Sequence, residues 1–123
     1  MADLIIIVQR IQKSHPEIRG LRDFAVWAWN NLNPRTFTIG RVFWPGDYWV
    51  WEGHGSADEW YHYHDCIASS ELVDFIKMLG ATTEEAIALR DHLINQGFYK
   101  IVFDLDGKDV RGRPSKYLLR LNV

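Results

Sequence analysis

Apolar residues recur every three or four positions at the start of the chain, which is the spacing of one face of an α-helix. The residues on this face are Leu4, Ile7, Val8 and Ile11. They predict an amphipathic helix over residues 3 to about 14. This helix is expected to end before Pro16, because a residue that precedes proline avoids the α conformation.

A second helix is predicted from about Pro16 to Leu32. The residues expected on its inward face are Leu21, Phe24, Ala25 and Ala28, with Trp29 as a further candidate. Asparagines and a proline at positions 30–34 supply the stop signal of this helix. The N-terminal part of the chain is therefore expected to be helical.

The pattern then changes to β-branched and aromatic residues, which favour strands. The stretches TFTIGRVFW and YWVWEG flank Pro45-Gly46-Asp47 and predict a β-hairpin with a tight turn. All six tryptophans lie between Trp27 and Trp60. They suit packing in a core or an interface, stacking on the bases of single-stranded nucleic acid, or a ligand pocket. The following EWYHYHDC is compatible with another strand or with the lead into a helix.

Helical spacing returns after residue 68. Ser69 or Ser70 is predicted to N-cap a helix that runs through Leu79. Its apolar side consists of Leu72, Phe75, Ile76 and Leu79. Gly80 is expected to end this helix.

A further helix is predicted three or four residues later. Thr82 or Thr83 can cap it, and Glu85 stands at the capping-box position relative to Thr82. Ala86, Leu89 and Leu93 form its apolar face. Leu89 is expected in the core in place of Arg90, and Gly97 is expected to end the helix. Two strands should follow, YKIVFDL and SKYLLRL, joined by the loop DGKDVRGRP.

At this point the chain resembles the winged helix-turn-helix family of bacterial, archaeal and phage regulators. The residues that carry the resemblance are LGATTEEAIALRDHLINQGFYK and GRPSKYLLRL, and the wing is similar to that of PadR-like proteins. The resemblance covers about residues 69–121. Together with the predicted N-terminal helices and aromatic β-hairpin, it implies an α+β fold with a C-terminal winged helix-turn-helix. Residues 1–66 and 67–123 are expected to form two regions of one compact unit.

The resemblance implies a transcriptional regulator that binds double-stranded DNA, of a size that suits a phage- or plasmid-derived protein. The helix after Gly80 would enter the major groove, and the basic loop would contact phosphates. The expected DNA-binding residues are Thr82, Thr83, Glu84, Lys108, Arg111, Arg113 and Lys116. A homodimer is expected.

Charge supports a local nucleic-acid site. The formal net charge is −2 over 123 residues, yet residues 108–120 carry five basic residues against one acidic residue, a local net of +4. A generally basic, DNA-packing surface is therefore excluded.

The N-terminal apolar run is too short for a membrane span or a signal peptide, and the single cysteine precludes an intramolecular disulfide. A cytoplasmic protein is expected.

A histidine-rich segment offers a candidate metal site. If residues 59–66 are extended, His62, His64 and Cys66 project from one face, because side chains alternate along a strand. Two imidazoles and a thiolate, completed by His54 or Asp65, would suit tetrahedral zinc. The alternative is that these histidines are exposed or hydrogen-bonded without a metal.

Other functions remain open at this stage. The sequence contains no phosphate loop, GxSxG elbow or HExxH motif, so no enzyme is expected. The acidic Glu84 and Glu85 and the tryptophan-rich region suit a protein-interaction module, such as an inhibitor or adaptor. A metal-responsive sensor that uses His62, His64 and Cys66 is a third hypothesis.

Overall fold

A computed structural model describes residues 2–44, 46–104, 110–111 and 117–123. Four helices and six strands follow one another in these residues. They are α1 (Ala2–Ser14), α2 (Leu21–Asn31), β1 (Arg35–Val42), β2 (Tyr48–Trp51), β3 (Glu59–Ala68), α3 (Ser69–Met78), α4 (Thr83–Asn95), β4 (Tyr99–Asp104), β5 (Val110–Arg111) and β6 (Tyr117–Leu121). The fold is therefore mixed α and β, and no described helix is both long enough and apolar enough to cross a bilayer.

The strands form one sheet in the order β4-β6-β3-β1-β2-β5. Neighbouring strands are antiparallel except β2 and β5, which run parallel. β3 joins the two halves of this sheet, because its first part pairs with β1 and its last two residues pair with β6. The predicted region boundary after residue 66 thus falls inside β3.

The sheet curls so that its two ends face each other across a small apolar core. The Trp49 ring on β2 lies 5.1 Å, centroid to centroid, from the Phe103 ring on β4. Tyr63 on β3 contacts the same Phe103 ring at 5.2 Å. The buried members of this core are Phe37, Ile39, Cys66, Ala68, Phe103 and Leu118. This core holds the aromatic hairpin against the C-terminal strands.

A larger core lies between the helices and the other face of β4 and β6. It contains the inward residues of α1, α2, α3 and α4 together with Tyr99 and Leu119. The Tyr99 hydroxyl donates a 2.7 Å hydrogen bond to the carbonyl oxygen of Ala25. Leu89 is fully buried, as predicted, and Arg90 lies over the ring of Tyr117 instead. The four helices therefore pack as one layer against the layer formed by the C-terminal strands.

Most of the local sequence predictions are confirmed. The first helix, the β1–β2 hairpin, the helix capped by Thr82 and the strands on either side of the basic loop are present. The undecided segment 59–66 is a strand. Trp49 and Trp51 both pack against the smaller core.

Two helix starts were predicted wrongly. α2 begins at Leu21, because residues 15–18 form a turn in which the Ile18 N–H donates to His15 and Gly20 is extended. Neither Ser69 nor Ser70 caps α3, whose N-cap is Ala68. Ser69 is buried, and its hydroxyl accepts a hydrogen bond from the Tyr117 N–H instead of capping the helix.

Candidate nucleic-acid interface

The basic loop between β4 and β6 is described only at its centre. Lys108, Arg113 and Lys116 lie outside the described residues, and Arg111 is described by its backbone alone. The strands that flank the loop pair from Tyr99↔Leu121 to Asp104↔Tyr117. Asp104 and Tyr117, the residues on either side of the loop, therefore lie opposite each other.

The backbone of β5 lies against the aromatic hairpin. Val110 pairs with Trp49 and Arg111 pairs with Val50, in parallel. The pairing begins one residue from Tyr48, where the turn between β1 and β2 ends. The backbone of Val110 and Arg111 therefore lies along the sheet edge that also carries the tip of the tryptophan-rich hairpin.

Two aromatic side chains are exposed at that tip. Trp44 is 82% exposed and Phe43 is 45% exposed, although both are large and apolar. The guanidinium of Arg41 lies 5.0 Å from the centre of the Phe43 ring and forms an ion pair with Asp47. This ion pair raises the pKa of Arg41 above its ordinary value. The tip thus presents aromatic faces beside an arginine whose charge is paired with a carboxylate.

The neighbouring loop fixes the position of the tip. The Phe43 N–H donates to the Asp58 carboxylate at 2.9 Å, and the Asp58 N–H donates to the Arg41 carbonyl at 3.0 Å. Gly40 permits this approach, since an added Cβ would lie 2.3 Å from Ala57 and 2.9 Å from the Trp60 ring. The exposed aromatics therefore stand on an anchored hairpin.

The N-terminus of α4 is a closed capping box. The Thr82 hydroxyl accepts from the Glu85 N–H at 3.1 Å, and the Glu85 carboxylate accepts from the Thr82 N–H at 2.8 Å. Arg10 on α1 also donates to Glu85 at 3.1 Å. The bond from the Thr82 backbone, and then Arg10, lower the pKa of Glu85. Thr82 and Glu85 are thereby occupied, while Thr83 and Glu84 are exposed.

The exposed face of α4 is acidic and apolar. Its described exposed residues are Thr83, Glu84, Ile87, Ala88, Asp91 and Asn95. Arg90, the one arginine on α4, is mostly covered and forms an ion pair with Asp91 at 2.8 Å. This face therefore offers no unpaired lysine or arginine to a phosphate.

The structure does not bring the three predicted metal ligands together. His62 and His64 lie side by side on the exposed face, with ring centroids 6.4 Å apart. A β-bulge follows, because Arg35 pairs with Cys66 whereas Phe37 pairs with Tyr63. The extra residue, Asp65, has a φ of 53°. The bulge turns Cys66 to the buried face, so the assumed regular alternation was wrong.

Two threonines and one arginine hold this part of β3. His62 Nδ1 lies 3.2 Å from the Thr38 hydroxyl, and His64 Nδ1 lies 3.0 Å from the Thr36 hydroxyl. The Arg120 guanidinium donates twice to the His64 carbonyl, at 2.6 and 3.1 Å.

Cys66 itself is buried, and its thiol donates to the carbonyl of His64. Burial raises the pKa of the Cys66 thiol, an effect that nearby Arg120 opposes. Across the described residues, no group of three or more His, Cys, Asp or Glu side chains is placed to hold a metal ion. Cys66 therefore acts here as a packed core residue.

Comparison of the chain with models of known families, with curated proteins and with solved structures finds no match.

Sequence reasoning missed the exposed pair Phe43 and Trp44 and the pairing of β5 with β2. Two aromatics placed directly before Pro45-Gly46 were a usable signal, since a turn seldom buries both neighbouring side chains. The β5 pairing had no local signal. It joins segments that are about sixty residues apart in the sequence.

Proposed function

We propose that this chain is a DNA-binding protein with a winged-helix arrangement, and that it contacts double-stranded DNA mainly through the basic loop between β4 and β6. The element order supports the proposal. α3 and α4 are joined by a short turn, and the β4–β6 hairpin follows. β6 also pairs with the end of β3, so three strands back the two helices. A regulator of transcription is the function that suits this arrangement.

The observation that carries the proposal is the position of β5. Its pairing with Trp49 and Val50 places the backbone of Val110 and Arg111 at the sheet edge, and the loop sequence around them also holds Lys108, Arg113 and Lys116. Residues 108–120, which include these basic side chains, carry a net charge of +4, and basic side chains can neutralise phosphates. The chain outside residues 108–120 carries a net charge of −6. The electrostatic attraction to DNA is therefore concentrated in this one segment.

α4 has a smaller part in this proposal than its place in the fold suggests. Glu84 and Asp91 on its exposed face repel phosphates, and Thr82 is engaged in the capping box. Thr83 is the exposed polar residue of the first turn that can approach DNA without a charge penalty. We therefore assign the phosphate contacts to the loop and only a flanking role to α4.

A fluorescence anisotropy titration with a labelled duplex tests this function. Changing Arg111→Ala together with Arg113→Ala should weaken binding sharply and reduce the slope of log K against log salt by about 2. The matched control is Arg22→Ala with Lys77→Ala, because both residues are exposed and belong to α2 and α3. Equal affinities for the loop variant and the wild type would contradict the proposal.

A second candidate function is a protein-interaction module, which the acidic and apolar face of α4 favours. Ile87 is 37% exposed there beside Glu84 and Asp91. Under this function, the purified chain shows no binding to DNA at moderate salt. A pull-down from host lysate treated with nuclease would retain a partner, and Ile87→Ser should release it.

A further inference from the structure

A cavity opens where α1, the start of α2 and α4 meet. Its volume is about 240 Å³. Val8 of α1 and Leu21 of α2 supply apolar surface to this cavity, and His92 lines it from α4. A cavity of roughly 150 Å³ holds a benzene molecule, so this one has room for a ligand of about ten non-hydrogen atoms.

Hydrogen bonds within the chain hold the walls of this cavity. The Gln12 side chain on α1 donates to the Ile18 carbonyl at 2.9 Å, which ties α1 to the turn before α2. The Arg19 N–H donates to the Asp23 carboxylate at 3.1 Å and fixes the backbone at the start of α2. Because both bonds lie within the chain itself, the cavity is largely formed before a ligand enters, as is usual for small-molecule sites.

Arg19 and His92 are the titratable residues among the described residues that line the cavity. Arg19 is exposed, and its guanidinium forms no ion pair with any described residue. His92 is half-buried, and its ring forms no hydrogen bond within the part of the chain that the structure describes. The carboxylate nearest in the sequence, that of Asp23, bonds the Arg19 backbone and does not line the cavity. The cavity therefore complements a ligand with a negative charge.

We propose that this cavity binds a small carboxylic acid with an apolar body of up to about ten non-hydrogen atoms. The apolar body lies against Val8 and Leu21, and the carboxylate accepts hydrogen bonds from the Arg19 guanidinium and from a ring N–H of His92. Hydrogen bonds between charged groups are stronger than those between neutral groups, so a neutral ligand of the same shape binds less tightly. This site is separate from the basic loop, and the inference does not rest on the proposed DNA binding.

Hexanoate tests this inference, because it fits the cavity and is ionised at neutral pH. Its titration into the ¹⁵N-labelled protein, followed by two-dimensional NMR, should shift the amide signals of Val8, Leu21 and His92. The expected Kd is on the order of 1 mM. Hexylamine and 1-hexanol have the same chain length without the negative charge, and they should bind at least about five-fold more weakly.

Variants of two neighbouring arginines locate the charge that selects the ligand. Arg19→Gln should weaken hexanoate binding about five-fold or more and leave 1-hexanol binding unchanged, because the apolar surface is intact. Arg19→Lys should keep part of the preference for hexanoate. Arg22→Gln is the matched control, since Arg22 is exposed near the start of α2 but does not line the cavity. It should bind both ligands like the wild type.

The wild-type protein alone can overturn the inference, whether or not each variant folds. If hexanoate leaves the signals of Val8, Leu21 and His92 unmoved, or shifts only signals elsewhere, the cavity is not its site. If the three ligands bind equally, the cavity does not select a carboxylate. Selective binding of hexanoate that Arg19→Gln removes and Arg22→Gln retains supports the inference. Binding of duplex DNA is measured separately, and its loss or retention does not alter these conclusions.

Discussion

The hydroxyl of Tyr99 on β4 donates a buried 2.7 Å hydrogen bond to the carbonyl oxygen of Ala25 on α2. The two residues are separated by 74 positions in the sequence. Tyr99 is 1% exposed, and the rings of Trp29 and Tyr99 are 6.2 Å apart. This contact joins the N-terminal helices to the C-terminal strands.

Tyr99→Phe should lower the free energy of unfolding by about 1 kcal/mol, the usual net value of an intramolecular hydrogen bond. The phenyl ring keeps the packing, so only the bond is lost. Urea denaturation followed by circular dichroism measures the change. A stability equal to that of the wild type would show that water replaces the hydroxyl at no cost.

Stability should also fall at alkaline pH because of this residue. Burial raises the pKa of Tyr99 well above its ordinary value of 10.0. The unfolded chain therefore loses this proton first, and the stabilisation present below pH 10 is lost progressively at higher pH. Tyr99→Phe should show a shallower decline of stability above pH 10. A smaller slope remains, because burial also raises the pKa values of Tyr63 and Cys66.

Arg120→Met should destabilise the β3 bulge by about 1 to 2 kcal/mol, because the carbonyl of His64 loses two charge-assisted hydrogen bonds. Lys100→Met is the matched control, since Lys100 pairs with Arg120 across the strands and is exposed. The rate of Cys66 modification by a thiol reagent gives a second readout. It should rise in Arg120→Met and stay at the wild-type value in the control.

Gly40→Ala should cost about 1 to 3 kcal/mol, because its Cβ would overlap Ala57 and the Trp60 ring. The loop that contains Asp58 would have to move, and the aromatic tip would lose its anchor. Gly46→Ala is the control, since a Cβ there meets nothing within 4 Å. Thermal unfolding of the two variants should differ, and equal melting temperatures would contradict the packing described for Gly40.

Glu84→Gln should strengthen duplex binding about three- to ten-fold at low salt, if α4 flanks the DNA as proposed. Removing one negative charge a few ångströms from a phosphate is worth about 1 kcal/mol in water. Raising the salt concentration should reduce the gain. Glu17→Gln, an exposed change outside α4, should have no effect in the same anisotropy titration.

Local features of the sequence were sufficient for most elements. The spacing of Ile7 and Ile11 predicted α1 correctly. The Thr82–Glu85 pair predicted the start of α4, because a capping box satisfies backbone groups at the beginning of a helix. The Pro-Gly-Asp turn gave the β1–β2 hairpin. These signals depend on residues that are only a few positions apart in the chain, so they can be recognised in a single sequence.

The candidate site was less predictable. The basic loop was identified from its charge, but its pairing with Trp49 was not foreseen, and Cys66 was wrongly expected on the same face as His62 and His64. A bulge adds one residue to one strand, and only the register with the partner strand shows it. The alternation of side chains along one strand, taken from the sequence alone, cannot reveal such a shift.

Short-range patterns in the sequence were enough to predict most helices and strands and to locate the basic residues of the loop between β4 and β6. The folded chain was needed to show that Val110 pairs with Trp49, that Cys66 is buried, and that Glu85 binds Arg10. The reason is physical. Helix and turn signals arise from short-range backbone sterics and capping, whereas strand pairing and side-chain exposure depend on which distant segments bury one another's apolar surface.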